Sequence, residues 1–432
     1  MLNGLIVVAA LAAVLLAGLS GQMEALTDAI VTSARGAVDL AIGLVGLMAF
    51  FLGLMRVVEN AGLTRHIARL IGPVMGRLFP SVPPDSPAMS AMILNIASNM
   101  MGLGNAATPF GIKAMEELEK LNSKPGTATN AMVLFLAINT SALAILPSGV
   151  VALRASVGSQ DAMGIFVPTW FASGCATVVG IAAAILLSRL AVYRRTEPAL
   201  LVSDPPAGET ELSEITVGGP ERRPDSTRRW VVRLFWLAML VLLGREAWAL
   251  RDQDPTDVLT QLSGAWMLPS LVAVLVLYGW ARGVQVYDSL VEGAKEGFEV
   301  AIRIIPYLVA ILVVIGMFRA SGGIDLLAGL ISPLTSLIGM PPEALPMALL
   351  RPLTGQGAFG VMAETMTAHG PDTLIGYMVS TFQGSTETTF YTLAVYYGAV
   401  GVKTTRHTVP ACLAADTAGI LAGVFVVNLL FG

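Results

Sequence analysis

NIASNMMGLGNAATP, Asn95 to Pro109, sits among apolar residues and carries three asparagines, a serine, a threonine and two glycines. A counterpart, RPLTGQG, runs from Arg351 to Gly357, and QGSTETTF follows from Gln383 to Phe390. Such density of amide, hydroxyl and glycine residues predicts unwound backbone. Hydrocarbon offers no partner to open N–H and C=O groups, so that backbone must be buried in protein or line a polar cavity. The three stretches therefore predict a polar site inside a membrane protein.

Composition places the chain in the bilayer. Hydrophobic residues make up 55% of the 432 and charged residues 13%, against about a quarter charged in soluble domains. Mean hydropathy is +0.72. A net charge of −4 and the lack of a basic tract with interleaved aromatics argue against nucleic acid as a partner. Cys175 and Cys412 have no zinc or redox spacing and read as packing residues, and the scattered His66, His369 and His407 predict no metal site. The N-terminal LNGLIVVAALAAVLLAGLSG has no basic leader and reads as a first transmembrane helix rather than a signal peptide.

Apolar segments centre near Val14, Gly46, Ala137, Ala182, Leu240, Val274, Val313, Val395 and Gly423. They divide into a first half (residues 1–192), a polar cytoplasmic linker (193–229), an extra transmembrane helix (230–250) and a second half (251–432). The halves share an order of features. A glycine-led amphipathic run contains a central proline (Pro73, Pro333), and a Pro-Pro pair follows (Pro83-Pro84, Pro341-Pro342) before each polar break. Further on, Phe135 to Gly158 parallels Phe382 to Gly401. Arginines of the linker, and Lys113, Lys120 and Lys124, favour the inside. The segment matching those lysines, VMAETMTAHGPD, has no Lys or Arg and fits outside. Likewise GSQDA (158–162) fits outside and its partner KTTRH (403–407) inside. The expected fold is an all-α polytopic membrane protein of two inverted repeats with broken or re-entrant helices, the Trp230 helix supplying the odd crossing.

Candidate site residues follow from the breaks. Asn95, Ser98, Asn99 and Gly102 share a helical face, with Asn105 and Thr108 beyond the glycines and Pro109 placed to open a new helix. These residues bind solute or cement helix packing. In the second half Arg351, Thr354 and Gln356 stand together. Arg351 holds an anionic solute group, pairs with Glu364 or Glu387, or reaches for the surface. Gln383, Ser385, Thr386, Glu387 and Thr388 form the richest cluster. Glu387 reads either as an ion-coupling carboxylate or as a first-turn acid behind a Ser385 cap. Asn139, Thr140 and Ser141 occupy the related place in the first half, so the site is expected to be asymmetric. Tyr391, Tyr396, Tyr397 and Trp170 stack on a ring or serve an interfacial belt. No nucleophile elbow, Walker loop, metalloprotease motif or dinucleotide fingerprint occurs, so no catalytic residue is expected.

VENAGLTRHIARLIGPVMGRLFP, PAMSAMILNIASNMMGLGNAATPFGIKAMEELEKLN and TATNAMVLFLAINTSALAILPSGVVALRASVGS resemble the spore maturation protein A family. VEGAKEGFEVAIRIIPYLVAILVVIGMFRASG, the stretch from Leu345 to His407, and ADTAG resemble the spore maturation protein B family. The chain is similar to a fusion of the two, within the nucleoside-recognition or Gate group. That resemblance implies a multi-pass, transporter-like protein with paired Gate domains, and no residue-by-residue site transfers from it.

The expected function is secondary transport of a small polar solute, an organic anion or a nucleoside-like molecule, across the bacterial inner membrane. No cofactor is expected beyond a coupling Na+ or H+. Lipid is the expected partner, and a homo-oligomer stays open. The alternative is a non-transporting scaffold or regulator of cell-envelope or spore maturation.

Overall fold

The computed structural model describes residues 2–102, 104–141, 143–145, 147–198, 226–249, 255–323, 326, 329, 333 and 335–432. The described residues are helical with no strands. The first half comprises α1 (Leu2–Ser20), α2 (Met23–Asn60), α3 (Leu63–Leu78), α4 (Pro87–Met100), α5 (Gly104–Lys120), α6 (Asn130–Thr140), α7 (Ser148–Ser156) and α8 (Phe166–Ser188), with a short α9 (Ala191–Arg194) after it. Helix α10 (Ser226–Ala249) follows, and α11 (Pro255–Ala281) opens the second half. That half continues with α12 (Val286–Ala320), α13 (Leu345–Leu350), α14 (Gly355–His369), α15 (Leu374–Ser385), α16 (Thr389–Val400) and α17 (Thr408–Phe431). Most of the predicted linker, residues 199–225, and most of the run matching α3 lie outside the described residues.

All nine predicted apolar segments are helical. Among the described residues α2, α8 and α17 are long and apolar enough to cross a bilayer. The runs centred on Ala137 and Val395 are different: α6 has 11 residues and α16 has 12. At 1.5 Å per residue each is about 17–18 Å long, against a hydrocarbon core of about 30 Å. They are half-helices, as the broken-span reading requires.

Local sequence sets these starts and stops. Ser86 accepts a hydrogen bond from Met89 N–H at 3.2 Å, with Pro87 at the first helical position of α4. Thr129 caps α6 through Met132 N–H, and Thr373 caps α15 through Gly376 N–H, each at 3.2 Å. The same cap thus opens corresponding helices in both halves. Gly102 ends the first arm with φ +74°, a conformation that costs a side-chain-bearing residue dearly.

The halves are swapped into each other. Helix α2 lies along α12 and α8 along α17, so each of these long helices packs chiefly on its counterpart in the other half. At one end the α5–α6 loop meets the α16–α17 loop: Lys403 N–H donates to Gly126 O at 2.9 Å and Ala128 N–H to Thr404 O at 3.0 Å. At the other the α7–α8 region meets the α14–α15 loop, with Arg154 Nη2 2.8 Å from Asp372 Oδ1 and Tyr377 OH donating to Asp161 Oδ2 at 3.0 Å. Repeats of the same direction would bring equivalent loops to one end. Here each loop meets the non-equivalent one, so the repeats are antiparallel. The two loops expected inside share one end, and the two expected outside share the other.

Close approach of α2 and α12 depends on glycine. A Cβ on Gly293 would stand 2.5 Å from Leu52 O and 2.8 Å from Gly53 Cα, both main-chain atoms that cannot yield. Gly293→Val is expected to cost about 1–3 kcal/mol, read as a lowered unfolding temperature in detergent. Gly46→Ala, which meets nothing within 4 Å, should leave that temperature unchanged; equal behaviour of the two would refute backbone contact as the packing mode.

Two expectations about charge and rings are corrected. In α5, i,i+4 spacing predicts Lys113 with Glu117 and Glu116 with Lys120; Lys113 does pair with Glu117, at 3.1 Å, but Lys120 also pairs with Glu117 (2.7 Å) instead of Glu116. Burial works against the Glu117 carboxylate, yet hydrogen bonds from Lys120 and Lys113 outweigh it and hold its pKa below the ordinary value. Tyr396 and Tyr397 are buried rather than forming an interfacial belt. Tyr396 accepts a hydrogen bond from Asn95 and Tyr397 bonds Thr408, since a buried phenol needs a partner.

Candidate functional site

Among the described residues, four interruptions, two in each half, separate paired half-helices: residues 101–102 between α4 and α5, 141, 143–145 and 147 between α6 and α7, 351–354 between α13 and α14, and 386–388 between α15 and α16. Their backbone groups bond across the breaks. Ile145 N–H donates to Met100 O at 2.6 Å in the first half, and Phe390 N–H to Pro352 O at 3.1 Å in the second. Glu387 N–H donates to Thr140 O at 2.7 Å, tying the halves together. Open backbone is therefore satisfied by other open backbone.

Residues of all four interruptions line one open pocket of about 300 Å³. Gly102, Ala144 and Pro147 reach it from the first half, and Arg351, Gln356, Gln383 and Glu387 from the second. Met48 of α2 and Phe359 of α14 add apolar wall. The two ionisable lining residues, Arg351 and Glu387, both come from the second half.

Arg351 is the electrostatic centre. It is 3% exposed. Nη2 donates to Thr386 O and Nη1 to Thr388 Oγ1 at 3.2 Å. Glu387 Oε2 lies 3.7 Å away, on a side chain 55% exposed. Of the two expected partners, Glu387 stands beside Arg351, while Glu364 pairs with Arg319 at 2.5 Å instead. Nε of Arg351 has no partner. The guanidinium is thus held from behind by the 386–388 interruption and balanced in front by a carboxylate that water can reach.

The remaining predicted residues sit behind the pocket surface and shape it. Asn95 donates to Ala107 O at 2.8 Å and to Tyr396 OH at 3.1 Å. Asn99 Nδ2 donates to Asn139 Oδ1 at 2.8 Å, and Asn139 Nδ2 to Phe135 O at 2.9 Å. Thr140 Oγ1 returns to Ala137 O at 3.1 Å, and Ser141 Oγ donates to Ile138 O at 2.8 Å while accepting from Thr177. Thr354 caps α14 through Gly357 N–H at 3.1 Å. Ser98 is buried within α4, and Thr108 is half-buried. The side chain of Asn105 lies outside the described residues.

Two boundary expectations are corrected here. Helix α5 begins at Gly104, so Pro109 lies inside it and Thr108 is no cap. Ser385 ends α15, and Thr388 takes the N-cap position of α16 without a capping bond, so Glu387 precedes the helix instead of opening it. Thr386 keeps a buried hydroxyl without a partner.

Two residues escaped the sequence reading. Arg154, 0% exposed, donates to Pro371 O, Asp161 O, Asp372 and two serine hydroxyls where the halves meet. Asp416, 1% exposed, accepts from Thr389 Oγ1 at 2.7 Å. Both were visible as lone charges in apolar runs, Arg154 in SGVVALRAS and Asp416 in Thr408–Phe431. An ionisable side chain in such a run is a site candidate by its cost alone.

A helical, membrane-type protein with two antiparallel repeats whose broken helices surround a polar pocket is the class this geometry defines. The chain belongs to the Gate family, described as nucleoside recognition, which matches residues 41–156 and 301–403 and so contains all four interruptions. It is 46% identical over 176 residues to spore maturation protein B of Bacillus subtilis, covering 41% of this chain and 98% of that one. It is 39% identical over 176 residues to spore maturation protein A of the same organism, covering 41% and 88%. Inner membrane protein YjiG of Escherichia coli is 32% identical over 84 residues, 19% of this chain and 55% of that one. The chain is thus like a fusion of A-type and B-type proteins.

Proposed function

We propose that the protein is a multi-pass secondary transporter of the bacterial inner membrane, carrying a small organic anion through the pocket between its halves. One observation carries the reading: four interruptions drawn from antiparallel repeats converge on one pocket that holds Arg351, Gln356, Gln383 and Glu387, the arrangement expected for alternating access. Arg351 supplies the anion-binding charge, and Gln356 and Gln383 supply neutral donors and acceptors that fix orientation. A volume of about 300 Å³ suits a solute of one ring or a short chain, which keeps a nucleobase-sized carboxylate within the class. Glu387 shares Arg351 with the solute, so its release is where a coupling cation, Na+ or H+, would act.

The rival scaffold reading has its own observation: Asn95, Asn99, Asn139, Thr140 and Ser141 all spend hydrogen bonds on protein groups. The two readings part at Gln383, which lines the pocket and has a buried Oε1 without a partner. A thermal-shift panel of succinate, citrate, nicotinate and uridine on purified protein, followed by flux of the stabilising compound in proteoliposomes, tests the transporter. Gln383→Leu is expected to leave the unfolding temperature near that of the parent and to cut flux about tenfold or more. Flux unaffected by Gln383→Leu, or no flux of any stabilising compound, would favour the scaffold.

A further inference from the structure

Asp416 lies outside both segments that match the Gate family, and nothing in the anion pocket uses it. It is the sole charged residue of α17. Oδ2 accepts from Thr389 Oγ1 at 2.7 Å, whereas Oδ1 has no partner. One turn along α17, Gly419 packs against Thr386, whose hydroxyl is likewise buried and unpartnered. Counting from the Val-Pro pairs near the start of both helices, Val167-Pro168 and Val409-Pro410, the residue of α8 that corresponds to Asp416 is Gly174. The second repeat alone carries this carboxylate.

The surrounding charges are few. Arg351 and Glu387 are the charged neighbours that interact with it, and Cys412, one turn back, is the titratable neighbour on its own helix. Helices α6, α8, α15 and α16 pack against α17 and bring no charged side chain; α8 carries Cys175, α15 carries Tyr377, and α16 carries Tyr391, Tyr396 and Tyr397. Arg351 feels both carboxylates, but it donates to Thr386 O and Thr388 Oγ1. An ionised carboxylate with an empty oxygen in so dry a place is expensive, and the neutral acid is far less so. A metal ion would need a shell of oxygens. Thr140 O at the end of α6 and Thr386 O in the last interruption are already taken by Glu387 N–H and Arg351. A proton is the cation this geometry accommodates.

We propose that Asp416 is a proton-binding site linked to the pocket through Arg351, so that an anionic solute and a proton travel together. Arg351, Glu387 and ionised Asp416 carry one excess negative charge. A solute anion would add a second, which a proton on Asp416 cancels; each ligand therefore favours the other, and the effect is reciprocal. The proton comes from water and returns to it, with no other bond changed. The co-transport part rests on the transporter reading, whereas proton binding and its link to Arg351 do not.

Infrared difference spectroscopy on the full-length protein, titrated with pH and without solute, tests this directly. The native protein is expected to show the C=O stretch of a buried protonated carboxylic acid, absent from Asp416→Asn. Removing the neighbouring negative charge in Glu387→Gln should keep the band and move its midpoint to lower pH. Removing the positive charge in Arg351→Gln should raise the midpoint by about one pH unit or more. If Asp416→Asn does not fold, Thr389→Val keeps the acid, removes a hydrogen bond to its charged form and should raise the midpoint. A band that survives Asp416→Asn, no band in the native protein, or midpoints unmoved by both Glu387→Gln and Arg351→Gln would overturn the proposal. None of these readouts uses flux, so a protein that carries no solute would still give the band, and one that carries solute without the band would lose only this inference.

Discussion

Arg351→Gln is expected to abolish solute binding and to lower stability at the same time. The guanidinium is 3% exposed and anchors the 386–388 interruption through Thr386 O and Thr388 Oγ1. Glutamine is too short to reach both groups, and a buried acceptor left empty costs about 1–3 kcal/mol. The binding loss should be larger. Truncating one partner of a buried, hydrogen-bonded charge pair costs about 2–5 kcal/mol, or about 30-fold and upward in affinity. Arg351→Lys separates the two effects. It retains the charge but lacks the planar fork that can serve the protein behind and a carboxylate in front together. Lysine should therefore recover much of the stability while binding stays weakened about tenfold. The thermal-shift panel and direct calorimetric titration of its strongest hit read both quantities. Native affinity in Arg351→Lys and Arg351→Gln alike would reduce Arg351 to a structural strut.

Arg154→Met should give the largest loss of stability with the least effect on the pocket. Arg154 is 0% exposed, and its guanidinium lies 4.4 Å from the centre of the Tyr377 ring while meeting Asp372 at 2.8 Å and Pro371 O at 2.7 Å. These partners belong to the opposite half. Methionine fills the space of the stem but leaves two carbonyls and a carboxylate unserved. Breaking such a buried pair costs about 3–5 kcal/mol. The lower part of that range applies because Asp372 is 31% exposed and water can take over there. Thermal unfolding should move down sharply, while affinity for a pocket ligand in the surviving protein stays within about twofold, since no Arg154 contact reaches the pocket. An equal loss of affinity would mean that the latch and the pocket move as one.

The sequence reading went furthest where chemistry is local. Polar breaks, half-helices, repeat order and the direction of the repeats all came from residue type and charge placement, and the loop contacts agree with each. The boundaries of the first break did not. Pro109 resembles a helix-opening proline, but α5 begins at Gly104 and carries it inside, with Ala107 O taken by Asn95 of α4. Pairings across the fold were also out of reach. Nothing in the neighbourhood of Glu364 says that Arg319 will claim it, because the two are joined only when α12 meets α14. The polar residues divided by depth: Arg351, Gln356, Gln383 and Glu387 face the pocket, while the asparagines of α4 and α6 brace its walls. Spacing along one helix reveals a shared face but not what that face meets.

The exchange of long helices between the repeats bears on how such proteins are encoded. Helices α2 and α8 touch elements of their own half, but the greater part of their packing is against α12 and α17 of the other. Mutual recognition is written into those surfaces, so the covalent tie across residues 193–229 adds proximity and fixes a one-to-one ratio without specifying the fit. The two parts of this single chain that meet in this way are each like a separate polypeptide of Bacillus subtilis.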